Sequence, residues 1–246
     1  MCPPTLAGFQ DLSQVVAEEK GLVPPITAWD DLPVSRHRRP EFLQAILAMS
    51  VVNTALDWYL QGVGPAMTFA GLVHARNDAQ YLLLCLSPTI ETVYNTPLSS
   101  EALGESIYEI GRISLRIYSN LVLFPMNPRG GTGGILAGAL REAVLQSNNA
   151  SPWRLLPNTC KRMLLWALML GGIQVDDGVV YAEEERAWFV EQLAEVSSSI
   201  GLLTWQQVEE CLSSFMWLDF VLNPAAVELW VDVRMKIMEM ETYVKE

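Results

Sequence analysis

The residues best suited to chemistry are an amide, two carboxylates and an imidazole on two predicted helices. Asn53 and Asp57 are four residues apart, as are His74 and Asp78, so each pair lies on one side of a helix. Either these residues line an internal cavity, or Asn53 and Asp57 form a water-facing stripe and His74 is structural. The chain's two histidines stand beside no nucleophile motif, so no Ser-His-Asp triad is predicted and the catalytic residues stay unknown.

Metal and cofactor patterns are weak in this sequence. Asp176 and Asp177 precede Gly178 in a predicted turn, but no second group of ligands follows at a usable spacing. The four cysteines contain no C-x-x-C pair. Residues 128–134 are rich in glycine, yet they fit neither nucleotide-binding loop and predict a flexible connector. We therefore expect no bound metal and no cofactor.

Helices must position any site, because no segment shows the alternation of a half-buried strand. Residues 163–170 are all apolar and consist mostly of good helix formers. A helix that is apolar on every side is buried in a core or in a membrane. The apolar segment ends at Ile173. Its length from Met163 is therefore less than the roughly 18 residues that a membrane span needs. It therefore predicts a central buried helix, ended by Gly171 and Gly172.

The remaining helical patterns surround this segment and predict an all-α bundle or orthogonal array of about eight to ten helices. They cover residues 41–61, 66–85, 100–123, 135–146, 182–200 and 204–218, and a last helix capped by Asn223 and Pro224. Thr204 and Gln207 form a predicted capping box. The composition of residues 147–152 predicts a linker. We expect an irregular lead-in over residues 1–39, from which Trp29 docks on the body, and one helical domain over residues 40–246.

Several side-chain rows are assigned to a face by their spacing. Glu105, Glu109, Arg112 and Arg116 follow steps of four, three and four, which predicts an exposed stripe of ion pairs. Residues 36–39 are basic and predict a solvated loop. Two apolar sets are predicted to be buried: the seam Ala226, Trp230, Val233, Ile237 and Met240, and the core aromatics Trp166, Trp188, Trp217 and Trp230.

The net charge of −12 argues against nucleic acid as a direct partner, since a polyanion would be repelled. No membrane association is expected. The N-terminal residues predict no secretory leader and the cysteines no disulfide framework, which together favour the nucleus or the cytoplasm.

Six apolar motifs occur in an order and spacing that resemble one family. They are residues 120–125 (NLVLFP), 164–173 (LLWALMLGGI), 188–190 (WFV), 202–208 (LLTWQQV), 215–219 (FMWLD) and 229–230 (LW). Together they resemble the helical regulatory region, or middle homology region, of fungal zinc-binuclear-cluster (Zn2Cys6) transcription factors. The resemblance covers residues 104–234 well and residues 40–100 vaguely. In that family a six-cysteine DNA-binding module precedes this region. Cys2 stands alone here, so zinc-dependent DNA recognition is not implied. No catalytic residue is implied either, because the family's region is not known as an enzyme.

Two functions are compatible with these features. The first is a stand-alone regulatory domain that binds a protein partner or a small hydrophobic metabolite as effector, with self-association into a homo-oligomer left open. The second is an enzyme of fungal secondary metabolism that guides a cofactor-free cyclisation or rearrangement in an apolar helical pocket. A third hypothesis makes the chain part of a longer regulator. A closed cavity of about 300 Å³ or more would favour a ligand or substrate, whereas a packed centre with an exposed apolar patch would favour a protein partner.

Overall fold

Helices make up most of the backbone in the computed structural model, which describes residues 27–62, 68–89, 100–125, 132–150, 152–175 and 182–243. The helices are α1 (Thr27–Asp30), α2 (Arg39–Gln61), α3 (Phe69–Cys85), α4 (Ser100–Tyr118), α5 (Thr132–Ala150), α6 (Asn158–Gln174), α7 (Ala182–Ser199), α8 (Trp205–Ser213) and α9 (Asp219–Tyr243). A π-helical turn (Ser119–Leu123) extends α4, and a 3₁₀ turn (Trp153–Leu155) precedes α6. These ranges contain no strand, so the predicted all-α fold is confirmed.

The centre of the protein is α6, as the apolar segment predicted. Every residue from Met163 to Leu170 is buried. The ring of Trp166 packs edge-on against Trp29, with centroids 5.2 Å apart, and stacks on Phe215. Its indole N–H donates to the carbonyl oxygen of Met216 at 2.7 Å, so this polar group stays satisfied within the core.

The lead-in residue Trp29 docks on this centre, as expected. It is fully buried, although it belongs to the short helix α1 rather than to a loop. Its ring also contacts Phe42 at the start of α2. The aromatic side chains thus hold three separate parts of the chain together. Residues 1–26 lie outside the described ranges.

Gly171 and Gly172 do not end the central helix, so that prediction was wrong. Both lie inside α6, which continues to Gln174, and neither has a positive φ. A Cβ atom on Gly171 would lie 2.4 Å from Cε1 of Phe189, and one on Gly172 would lie 2.5 Å from Cδ2 of Leu229. The two glycines instead let α7 and α9 approach α6 closely, because real Cβ contacts are not this short.

The charged row on α4 is buried, which contradicts the predicted exposed stripe. Glu105, Glu109 and Arg112 are 3%, 9% and 6% exposed, and Arg116 is half-buried. Arg112 donates from Nε and Nη2 to the two carboxylate oxygens of Glu109, at 2.8 and 2.5 Å. The spacing correctly placed these residues on one face, but other parts of the chain cover that face.

Part of this cover is the basic segment 36–39, which is therefore not simply a solvated loop. Nε2 of His37 lies 3.3 Å from Glu105, and Nε of Arg38 lies 3.8 Å from the same carboxylate. The guanidinium of Arg38 also lies over the ring of Tyr108. The basic neighbours of Glu105 on α4 therefore come from a segment that is distant in the sequence.

Several predicted boundaries need correction. The linker prediction for residues 147–152 was wrong up to residue 150, where α5 ends. Residues 132–134 of the glycine-rich segment form the first turn of α5, and the rest of that segment lies outside the described ranges. Helix α8 ends at Ser213 instead of continuing to residue 218. Asn223 and Pro224 do not cap the last helix, since α9 begins at Asp219 and contains both.

Other local predictions hold. The capping box of Thr204 and Gln207 is present at the start of α8. In the α9 seam four residues are buried and Met240 packs half-buried against the core. Of the four predicted core tryptophans three are buried and Trp188 is half-buried against the core. The Asp176-Asp177-Gly178 turn lies outside the described residues.

Candidate functional site

An open cleft lies where the end of α2 meets the start of α9. Its volume is about 570 Å³. We call it the acidic cleft, because carboxylates and apolar side chains line it together. Its lining residues are Asn53, Thr54, Asp57, Leu60, Gln61, Trp217, Asp219 and Phe220. Two of the four predicted pocket residues, Asn53 and Asp57, are therefore found at one site.

Asn53 connects this cleft to the core. The hydroxyl of Tyr118 donates to Oδ1 of Asn53, and Nδ2 of Asn53 lies 3.5 Å from the carbonyl oxygen of Trp217. Tyr118 is fully buried, and burial, followed by the charges of Asp57 and Asp219, raises the pKa of its phenol well above 10. Tyr118 therefore stays protonated and acts as a fixed donor that orients Asn53.

A second chain of hydrogen bonds holds the opposite wall. The indole N–H of Trp217 donates to Oδ1 of Asn223 at 2.7 Å, and Nδ2 of Asn223 donates to Oε1 of Glu209 at 2.7 Å. Asn223, predicted as a helix cap, thus orients the Trp217 ring from inside α9. Because both polar ends of the amide are used, its side chain is fixed.

The cleft carries negative charge without a basic partner among the described residues. Nε2 of Gln61 donates to Oδ1 of Asp57 at 2.7 Å, which leaves the charge of Asp57 in place. Burial raises the pKa of Asp219, and the nearby charges of Glu209 and Asp57 raise it further. Because these like charges repel one another, a cation entering the cleft would be stabilised.

A row of exposed apolar side chains begins at the same place. We call it the α9 outer row: Phe220, Val227, Val231, Met235 and Met238, all exposed. Steps of seven, four, four and three residues keep the row on one side of the helix. Phe220 is 78% exposed and also lines the acidic cleft. The cleft and the row are therefore one continuous surface, roughly 27 Å long at 1.5 Å per residue.

His74 and Asp78 are not part of this surface. Both lie on α3, where His74 is exposed and Asp78 is half-buried. No hydrogen bond or ion pair joins them, and neither lines the acidic cleft. The structure thus separates the second predicted pair from the first.

Sequence reasoning missed Asp219 and Phe220 as site residues. No sequence pattern around Asp219 predicts a site, because the carboxylate beside it, Asp57, lies on a helix that is distant in the sequence. Phe220 was detectable, since α9 has apolar residues on two faces and one partner helix can cover only one of them.

The described residues hold no group of three or more potential metal ligands. No helix within the described ranges is long and apolar enough to cross a membrane. No family model, curated protein or solved structure matches the chain.

Proposed function

We propose that the chain is a regulatory domain similar to the helical region of fungal Zn2Cys6 transcription factors, and that it docks a basic amphipathic helix of a protein partner. One observation carries this proposal: Phe220 belongs both to the acidic cleft and to the α9 outer row. A helix laid along the row would bury its apolar side chains there and place a lysine or arginine beside Asp57 and Asp219. This is the helix-in-groove mode of peptide recognition.

Charge supports a basic partner. Two exposed acidic residues without an ion pair among the described residues lie near the row, Glu228 near its middle and Glu241 near its end, whereas Glu239 is paired with Lys236 and Arg234 contributes one positive charge. The whole chain carries a net charge of −12. Complementary charge speeds association and disfavours acidic competitors. Such a regulatory role would place the protein in the nucleus or the cytoplasm.

The packing of the centre supports a partner over an enclosed substrate. The rings of Trp29, Trp166 and Phe215 fill the middle of the fold against one another. Asn53 and Asp57, which the enzyme alternative would place in an internal pocket, line an open cleft instead. No observation in the described residues favours a cyclisation or a rearrangement.

Binding of two synthetic peptides tests the docking surface. Both are amphipathic helices of about 18 residues with the same leucine pattern, carrying lysine in one and glutamate in the other. Fluorescence anisotropy should detect binding of the lysine peptide and none of the glutamate peptide. V231Q/M235Q, which removes apolar surface without adding charge, should weaken binding by about tenfold or more. The control I135Q alters an exposed apolar residue on α5 and should bind normally. Equal binding of both peptides, or equal loss in I135Q, would overturn the proposal.

The regulatory role needs its own readout. Fused to an unrelated DNA-binding domain, the chain should change the output of a reporter gene in a fungal host. V231Q/M235Q should remove that change while I135Q keeps it. If the fusion leaves reporter output unchanged although the peptide binds, the surface is a docking site without a regulatory role.

A further inference from the structure

A lysine on the central helix has no anionic partner among the residues that the structure describes. Lys161 lies in the first turns of α6 and is 8% exposed. Its ammonium donates to the carbonyl oxygen of Arg154 at 3.2 Å, and no carboxylate of the described residues lies within ion-pair distance. An ammonium has three donors, so two find no acceptor in the described protein. Burying a charge costs free energy unless a partner compensates it.

Lys161 lines a second cleft, of about 590 Å³. Polar groups from α5 and α7 line it together with apolar side chains. The apolar part consists of Pro152, Trp153, Val196 and Met240. Met240 projects from the side of α9 that packs on the core, whereas the outer row lies on the other side. The two surfaces are therefore separate.

The charge in this cleft has the opposite sign to the charge of the chain. Arg154 lies 3.7 Å from Glu195, so these two lining charges offset each other and the charge of Lys161 remains. A positive cleft in a chain of net charge −12 attracts a small anion locally. Because one positive charge remains uncompensated, a singly charged anion matches the cleft best.

We propose that this cleft binds a small amphiphilic carboxylate. Its carboxylate accepts from Lys161, which supplies the missing partner through a charge-assisted hydrogen bond. Its apolar body packs against Trp153, Val196 and Met240. A cleft in which apolar side chains lie beside a buried charged group can hold a small molecule through both. The proposal does not depend on the docking of a partner helix.

Calorimetric titration of the intact chain tests this site with octanoate as the probe. Octanoate should bind, whereas acetate, which lacks the apolar body, and octylamine, which has the wrong charge, should bind at least tenfold more weakly. Inorganic phosphate should also bind weakly. K161M should lower octanoate affinity by about tenfold or more, and the control R36M, which removes a positive charge at the exposed Arg36, should leave it unchanged. No octanoate binding to the parent, or equal binding to K161M, would overturn the proposal.

A second variant and a stability measurement distinguish loss of octanoate binding from misfolding of K161M. Ser198 is exposed and lines the cleft, so S198E adds a negative charge without touching Lys161 and should also abolish octanoate binding. Without octanoate, K161M should unfold in urea at the same or a higher concentration than the parent, because it removes an unpaired buried charge. Clear destabilisation of K161M, with octanoate binding kept in S198E, would assign Lys161 a structural role instead.

Discussion

Glu109 and Arg112 form a doubly hydrogen-bonded ion pair inside the protein, one turn apart on α4. The backbone N–H of Thr89 donates to the same carboxylate at 3.1 Å, so the pair also fixes the chain after α3. Removing either partner alone would leave the other charge buried without compensation.

Replacing Arg112 alone should therefore be costly. We expect R112M to lower the free energy of unfolding by roughly 3–5 kcal/mol, because it leaves Glu109 buried without its counter-charge. Urea unfolding measures this, with R36M on the exposed Arg36 as the control. The double variant E109M/R112M should recover much of the loss. An R112M protein as stable as R36M would show that the pair is not compensating a buried charge.

Two glycine substitutions should have opposite effects. G171A should destabilise the protein by about 1–3 kcal/mol or more, because its Cβ would overlap Phe189 and Leu140. G138A should stabilise it by roughly 0.5–1 kcal/mol, since alanine is the better helix former and its Cβ would meet only Glu185, at 3.5 Å. Thermal unfolding compares the two variants. A G171A protein no less stable than the parent would contradict the close approach of α7 to α6.

The cysteines should differ in reactivity. Burial raises the pKa of the Cys211 thiol to about 11, and it also raises the pKa of Cys160. At pH 8 about one Cys211 thiol in a thousand is ionised, since each pKa unit is a factor of ten. In a C2S background, a thiol reagent should modify the exposed Cys85 first, and the two buried thiols should react only after unfolding. Fast native labelling of Cys211, seen by peptide mass spectrometry, would contradict its burial.

Asp219 should titrate above its ordinary value. Its pKa is raised from 3.8 by burial and by the charges of Glu209 and Asp57. D57N should lower the pKa of Asp219, and carboxyl NMR titration measures the change. Because the folded-state pKa is the higher one, the ionised form of Asp219 opposes folding. Its contribution to stability therefore improves as the pH falls through that pKa, opposite to the usual carboxylate. An Asp219 pKa unaffected by D57N would show that the two carboxylates do not interact.

The fold could be predicted from the sequence because residues 163–170 leave no polar face and so had to be central. Helical spacing also placed Glu105, Glu109 and Arg112 on one face correctly. It could not show that the face is covered, since the groups that cover it, such as His37 and Arg38, come from a distant segment. Composition suggested that Gly171 ends a helix, whereas the close contact with Phe189 on another helix decides its role.

The candidate site was predicted only in part, because spacing within one helix is visible in the sequence and contacts between distant helices are not. Asn53 and Asp57 were identified from spacing within one helix, which is local information. Their partners Tyr118, Trp217 and Asp219 are brought to them by tertiary packing, and no sequence spacing encodes that. His74 and Asp78 had equally suitable spacing but lie on α3, outside the cleft.

The central claim is that the acidic cleft and the α9 outer row together select a basic helix. Reversing the charge of the cleft tests it most directly. We expect D57K/D219K to prefer the glutamate peptide over the lysine peptide, the reverse of the parent, when both are measured by fluorescence anisotropy at low salt. An unchanged preference in D57K/D219K would contradict the claim, because the cleft would then have no part in choosing the partner.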